Sequence, residues 1–202
     1  MRGSSSIPNE HSAAAQWAPT RCGFVSLILG CMFSGKTTEL LRRIAARPAG
    51  EVLAVKHEID TRFAQGAIVS HAGKALPAVS VALAGEIIRL VAPRTTLIAI
   101  DEAHFFDAGL VDVASQLRDR RLDVAIASLE PDSWARAFPI NERLRGVADE
   151  CIICRAICAR CGAVADRTQR LTAIVGGQMV VDPSNYEPRC VKCWRPPRES
   201  PA

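Results

Sequence analysis

Residues 30–37 read GCMFSGKT and meet every fixed position of the pattern G-x-x-x-x-G-K-[ST]. That pattern demands a specific local geometry. Gly30 and Gly35 allow a turn tight enough to aim successive backbone N–H groups at phosphate oxygens, and the positive end of a following helix reinforces them. In such a loop Lys36 reaches the β- and γ-phosphates of a triphosphate and the Thr37 hydroxyl binds Mg2+, while Cys31, Met32, Phe33 and Ser34 complete the cradle. The flanks agree. FVSLIL (24–29) is an apolar run ending at a glycine, as a buried parallel strand does, and TELLRRIAA sets Leu40, Leu41 and Ile44 on one helical face.

The same alternation continues along the chain. EVLAVKH (51–57), TTLIAI (95–100) and LDVAIAS (122–128) read as buried strands, and LAGEIIRLVA (83–92) and GLVDVASQLRDRR (109–121) as helices. Between them EIDTRFAQGAIVSHAGKALPA (58–78) reads as loop. This order predicts an α/β fold, a mostly parallel sheet with helices on both faces. The pattern changes near residue 150, after which cysteine pairs, turn residues and short β-type runs replace long helical periods. The expected organisation is a flexible tail over 1–22, a nucleotide-binding domain over 23–150, a small cysteine-bearing domain over 151–194 and a disordered tail over 195–202.

A chain of 202 residues with 49% hydrophobic and 23% charged residues can bury a sizeable core. It is too short for the two nucleotide-binding lobes of a helicase motor, although residues 101–104 spell D-E-A-H. The formal net charge of +4 is dispersed, without the basic runs of a nucleic-acid arm. No stretch of about 20 apolar residues suggests a membrane span, and the opening residues lack the apolar core of an export signal. Eight cysteines without such a signal fit a reducing, cytoplasmic setting in which cysteine pairs hold metal.

Two acids end the apolar run TLIAIDE. An acid at the C-terminal end of a strand beside a phosphate loop holds magnesium, which suits Asp101, and the adjacent Glu102 points elsewhere and could take a proton from whatever attacks the γ-phosphate. The alternative is a helix-capping acid with a solvated neighbour. Asp60 and Arg62 in EIDTR could reach the phosphates or form a surface pair. His71 and His104 read as structural histidines. Cys158 and Cys161 form one C-x-x-C and Cys190 and Cys193 another, which together supply four thiolates for a closed tetrahedral Zn2+ site. The pair Cys151 and Cys154, in the apolar CIIC, is the less favoured ligand choice.

The blocks GCMFSGKTTELLRR, DTR, SHAG, IDEAHFFD, ICARCGAVADRTQRL and YEPRCVKC, in this order over residues 24–194, resemble the type II thymidine kinases. The resemblance implies a RecA-like phosphate-loop domain with a zinc-ribbon "lasso" domain, and ATP- and Mg2+-dependent phosphorylation of the thymidine 5′-hydroxyl with Glu102 as base. It implies that Asp60 and Arg62 lie near the phosphates, that Met32, Phe105, Phe138, Thr168, Arg170 and Tyr186 line the nucleoside pocket, and that the lasso spans about 171–186. It further implies a homotetramer inhibited by the end-product triphosphate, with no nucleic-acid or membrane partner.

Three departures accompany the resemblance. His104 stands where the family usually has glutamine, Ser133 replaces an aromatic before Phe138, and Val181 and Asp182 replace a glycine pair before Tyr186. Two other readings follow from the same residues: a zinc-ribbon ATPase acting on nucleic acid, and a nucleotide-binding family member without catalysis.

Overall fold

A computed structural model gives the structure of the protein for residues 22–60, 66–69, 73, 75–172 and 182–197. The main sheet has six strands in the order β5-β2-β6-β7-β1-β8: β1 (Val25–Gly30), β2 (Val52–His57), β5 (Val79–Val81), β6 (Leu97–Asp101), β7 (Asp123–Leu129) and β8 (Glu150–Cys154). All its pairings are parallel, so every strand ends on the same edge. The α/β expectation therefore holds.

Strand alternation sorts the core onto two faces. Leu27, Leu29, Ile98, Ile100, Val124 and Ile126 meet α3 (Leu110–Asp119) and α4 (Pro139–Arg145) on one face. On the other, Leu40 and Ile44 of α1 (Lys36–Ala45) pack over Ala99, Ala125 and Ala127. Alanines at these positions let α1 lie close to the sheet, and this fixes the height of the loop that precedes it. Both faces are covered, which is why the strands are mostly apolar.

Two expectations need correction. The region 58–78 is not all loop, because β3 (Ala67–Val69) and β4 (Ala75–Pro77) form an antiparallel hairpin. Ile68 buries one side of it against the α1 face, but three-residue strands carry too little periodicity to be read from sequence. The helix expected over 83–92 is a 3-10 turn, Ala84–Glu86, followed by one α-turn, α2 (Ile87–Leu90). Pro93, three residues after Leu90, disfavours helical backbone before it and stops the helix there.

Beyond β8 the chain forms two small hairpins, β9 (Ala156–Ile157) with β10 (Val164–Ala165), and β11 (Arg167–Arg170) with β12 (Tyr186–Arg189). Cys151 and Cys154 belong to β8, paired in parallel with β1. Among the described residues no helix is long and apolar enough to cross a membrane.

Candidate active site

The phosphate loop joins β1 to α1 at the C-terminal edge of the sheet. Gly30 has no room for a side chain, since a Cβ there would lie 2.4 Å from the carbonyl oxygen of Cys154 on the neighbouring strand and 2.5 Å from Ser34 Oγ. Gly35 takes the left-handed conformation, φ 88° and ψ 14°, and starts α1. Phe33 also has positive φ, 64°, a strained state for a bulky residue of the kind that clusters at functional sites.

Lys36 is buried and its Nζ donates to the Cys31 carbonyl at 2.9 Å, so the side chain folds back along the loop. Burial lowers its pKa, with the Glu102 and Asp101 carboxylates pulling the other way. Thr37 Oγ1 donates to Asp101 Oδ2 at 3.2 Å. This hydroxyl–carboxylate pair, at the ends of α1 and β6, is the donor set that a phosphate-bound Mg2+ takes.

Glu102 follows in the left-handed conformation, φ 54° and ψ 43°. Its N–H donates to Asp101 Oδ1 at 3.0 Å. It opens the turn Ala103–Phe105, so the D-E-A-H letters form a strand end and a 3-10 turn. His104 lies 3.5 Å by Nδ1 from Glu102 Oε2. Its ring packs at a tilt against both Phe105 and Phe138, with centroids at 4.1 and 4.9 Å. Two expected pocket residues thus share contact with the histidine.

A buried polar chain supports this wall from behind. Leu129 N–H donates to His104 Nδ1 at 3.4 Å. Asn141 of α4 donates to the Leu129 carbonyl at 2.8 Å and to Glu130 Oε2, and it accepts the Ser128 hydroxyl at 2.6 Å. Ser128 and Asn141 are fully buried. Neither was visible as a site residue in the sequence, since an asparagine after a proline reads simply as a helix start.

At the end of β2, Asp60 is buried and the equally buried Lys56 donates to its carbonyl. Sequence reasoning missed Lys56, for which the one signal was a lysine in an otherwise apolar strand. Arg62 and His71, together with Val181 in the lasso stretch, lie outside the described residues.

The small hairpins approach the phosphate loop directly. Met32 N–H donates to Thr168 Oγ1 at 3.1 Å. Cys31 packs in one cluster with Cys158, Cys190 and Ala165, and its own thiol is pushed up by burial. Arg170 pairs in register with Tyr186, and its buried Nε has no hydrogen-bond partner among the described residues.

The sulfurs of Cys158, Cys161, Cys190 and Cys193 all lie within 4.8 Å of one another. Each C-x-x-C is a tight turn: Gly162 N–H donates to the Cys158 carbonyl at 2.9 Å and Cys193 N–H to the Cys190 carbonyl at 3.0 Å. Burial pushes the Cys158 thiol up, but backbone N–H groups of Cys190, Arg160 and Cys161 outweigh it and hold it at about 6. A hydrogen bond with Cys161, then burial, pushes Cys193 up to about 12. Four sulfurs this close cannot all be thiolates without a cation among them, and the donor set fits Zn2+. Cys151 is exposed on β8 beside Arg145 and takes no part in this cluster.

Comparison with known proteins agrees with this arrangement. The family model described as thymidine kinase matches residues 23–194. A thymidine kinase of Rhodothermus sp. is 39% identical over 180 residues, covering 87% of this chain and 83% of its own. Those of Mesoplasma florum and Bdellovibrio bacteriovorus are 34% and 37% identical, covering 94% and 89% of this chain and 98% and 89% of theirs. With a phosphate loop, a strand-end acid pair and a four-cysteine cluster inside one matched span, the chain belongs to the thymidine kinase family.

Proposed function

We infer that this protein is an ATP-dependent kinase that transfers the γ-phosphoryl group of ATP to the 5′-hydroxyl of thymidine. The observation that carries the reading is the edge where Thr37 meets Asp101 at 3.2 Å with Glu102 next in sequence in a left-handed backbone. Residues 30–37 bind the triphosphate, with backbone N–H groups and the Lys36 ammonium on its oxygens. Glu102 accepts the 5′-hydroxyl proton as the O5′–P bond forms and the bond to the bridging oxygen breaks, which releases ADP. Asp60, Arg62, Thr37 and Asp101 flank the phosphates, where Mg2+ would neutralise charge on the leaving group.

Phe105 and Phe138, braced by His104, form one wall of the nucleoside pocket, and Met32, Thr168, Arg170 and Tyr186 the side toward the lasso. A pocket that hydrogen-bonds a pyrimidine edge rejects purines, which would leave its groups unpaired. Cys158, Cys161, Cys190 and Cys193 hold a structural Zn2+ that steadies the hairpins. Homotetramer assembly and a cytoplasmic location belong to the same reading, supported by the family resemblance and by the cysteine usage.

The test is a panel of nucleosides incubated with γ-labelled ATP and read for 5′-monophosphate. Thymidine is expected to be labelled first, with deoxyuridine the nearest competitor. Nucleic-acid-stimulated ATP hydrolysis with no labelled nucleoside would overturn the assignment.

A further inference from the structure

Among the described residues Lys56 is the largest side chain that is fully enclosed, with 2% of its surface exposed. A buried ammonium is costly, and replacing a buried ion pair with apolar residues of the same volume is often neutral or stabilising. Core packing therefore does not explain a lysine here. Its surroundings do.

Lys56 is the residue before the last in β2 and stands in register with Asp101 on β6. Paired residues of adjacent parallel strands point to the same face. That face is the one under α1, since Ala54 and Ala99 two positions earlier both pack there. The lysine thus rises beside the strand end that carries the Thr37–Asp101 pair.

From there it reaches forward over a tight turn. Asp60 N–H donates to the His57 carbonyl at 3.1 Å, and Glu58 N–H to the Val81 carbonyl at 3.0 Å. Lys56 Nζ donates to the Asp60 carbonyl at 2.9 Å and lies 3.8 Å from Asp60 Oδ2. One ammonium thus holds both the backbone and the carboxylate of Asp60.

We propose that Lys56 is a positioning residue of the nucleotide–metal site, fixing Asp60 at the strand edge beside Asp101. It offsets the charge of one buried acid so that two can stand at neighbouring strand ends. This rests on the reading above that Asp60 serves the phosphates and Mg2+. It acts through Asp60 and touches neither nucleotide nor metal itself.

The test is a double-mutant cycle on the full chain: Lys56→Met, Asp60→Asn and both together. ATP affinity is measured by calorimetry with and without MgCl2, and folding by thermal melting. With Mg2+, Lys56→Met is expected to weaken ATP binding by about tenfold, and without Mg2+ by less than about twofold. In the Asp60→Asn background the same change should add less than about twofold.

Unchanged Mg2+-dependent affinity in folded Lys56→Met overturns the proposal. So does an equal loss in the Asp60→Asn background, which would mean a structural role or a direct one. If Lys56→Met shows no cooperative melt, Lys56→Gln is measured under the same criteria, because it keeps a donor for the Asp60 carbonyl and loses the charge. Wild-type affinity in Asp60→Asn removes the reading of Asp60 and this inference with it. A wild-type protein that binds Mg2+–ATP yet labels no thymidine defeats the assigned reaction while the cycle still judges Lys56.

Discussion

The backbone N–H of Met32 donates to Thr168 Oγ1 at 3.1 Å, across 136 residues of sequence. One amide of the phosphate loop is therefore held by the first strand of the lasso side. Thr168→Val keeps the volume but leaves that buried N–H unpaired, at a cost of about 1–3 kcal/mol. The expected outcome is a raised KM for ATP with metal content unchanged, checked by steady-state kinetics and zinc analysis.

Glu102→Gln keeps the shape of the carboxylate and removes its basicity. Phosphoryl transfer should fall by at least about a hundredfold, while ATP affinity stays within about twofold, because proton abstraction matters in transfer and not in triphosphate binding. Rapid-quench kinetics and calorimetry on one preparation separate the two.

Asn141→Leu removes the centre of the polar chain behind His104. It strands the Ser128 hydroxyl and the Leu129 carbonyl in the core, and a loss of about 2–4 kcal/mol is expected. Urea unfolding should show a lower midpoint at unchanged slope. Activity should fall further than stability alone explains, since Leu129 N–H also holds His104.

Removing one thiolate pair, Cys190→Ser with Cys193→Ser, should release the metal and loosen both hairpins. Zinc content by atomic absorption and proteolysis beyond residue 155 provide the readings. In the intact protein acid should have the same effect, because thiolates bind metal and thiols do not. A full complement of zinc in the double variant would contradict the ligand set.

Glu39 accepts a two-pronged grip from Arg42 and a further hydrogen bond from Arg43. The Arg42 hydrogen bond is the main cause that lowers its pKa from 4.5 to about 2. A depressed carboxylate stabilises the fold above its unfolded pKa, and that stabilisation is lost as pH falls through the folded value. Glu39→Gln should therefore cost about 1 kcal/mol at neutral pH, with solvent screening included. The gap to wild type should close between about pH 5 and pH 2, as followed by chemical denaturation.

Much of the site could be read in the sequence because its chemistry is written in short spacings. GCMFSGKT, the DE at a strand end and the two C-x-x-C turns are local patterns whose geometry follows from a few neighbouring residues. Lys56 was missed because its partner lies across a turn that the pattern V-L-A-V-K-H does not announce. The Ser128–Asn141–His104 chain was missed because it joins a strand, a helix and a 3-10 turn, and such meetings exist only once the sheet order is known. The hairpin Ala67–Pro77 was missed because strands of three residues have no usable period.

The placement of β1 between β7 and β8 has a consequence for the way the protein is made. The first strand finds both neighbours late: Phe24 N–H meets Asp123 across 99 residues, and Val25 N–H meets Asp149 across 124. A chain leaving the ribosome carries its phosphate loop well before it can close the sheet around it, since β8 is complete only when Cys154 has emerged. Until β7 has emerged the apolar VSLILG stretch has neither of its lateral partners, and long-range parallel pairing is slow to form. The phosphate loop is thus synthesised before the strands that frame it and takes its place only once they have formed.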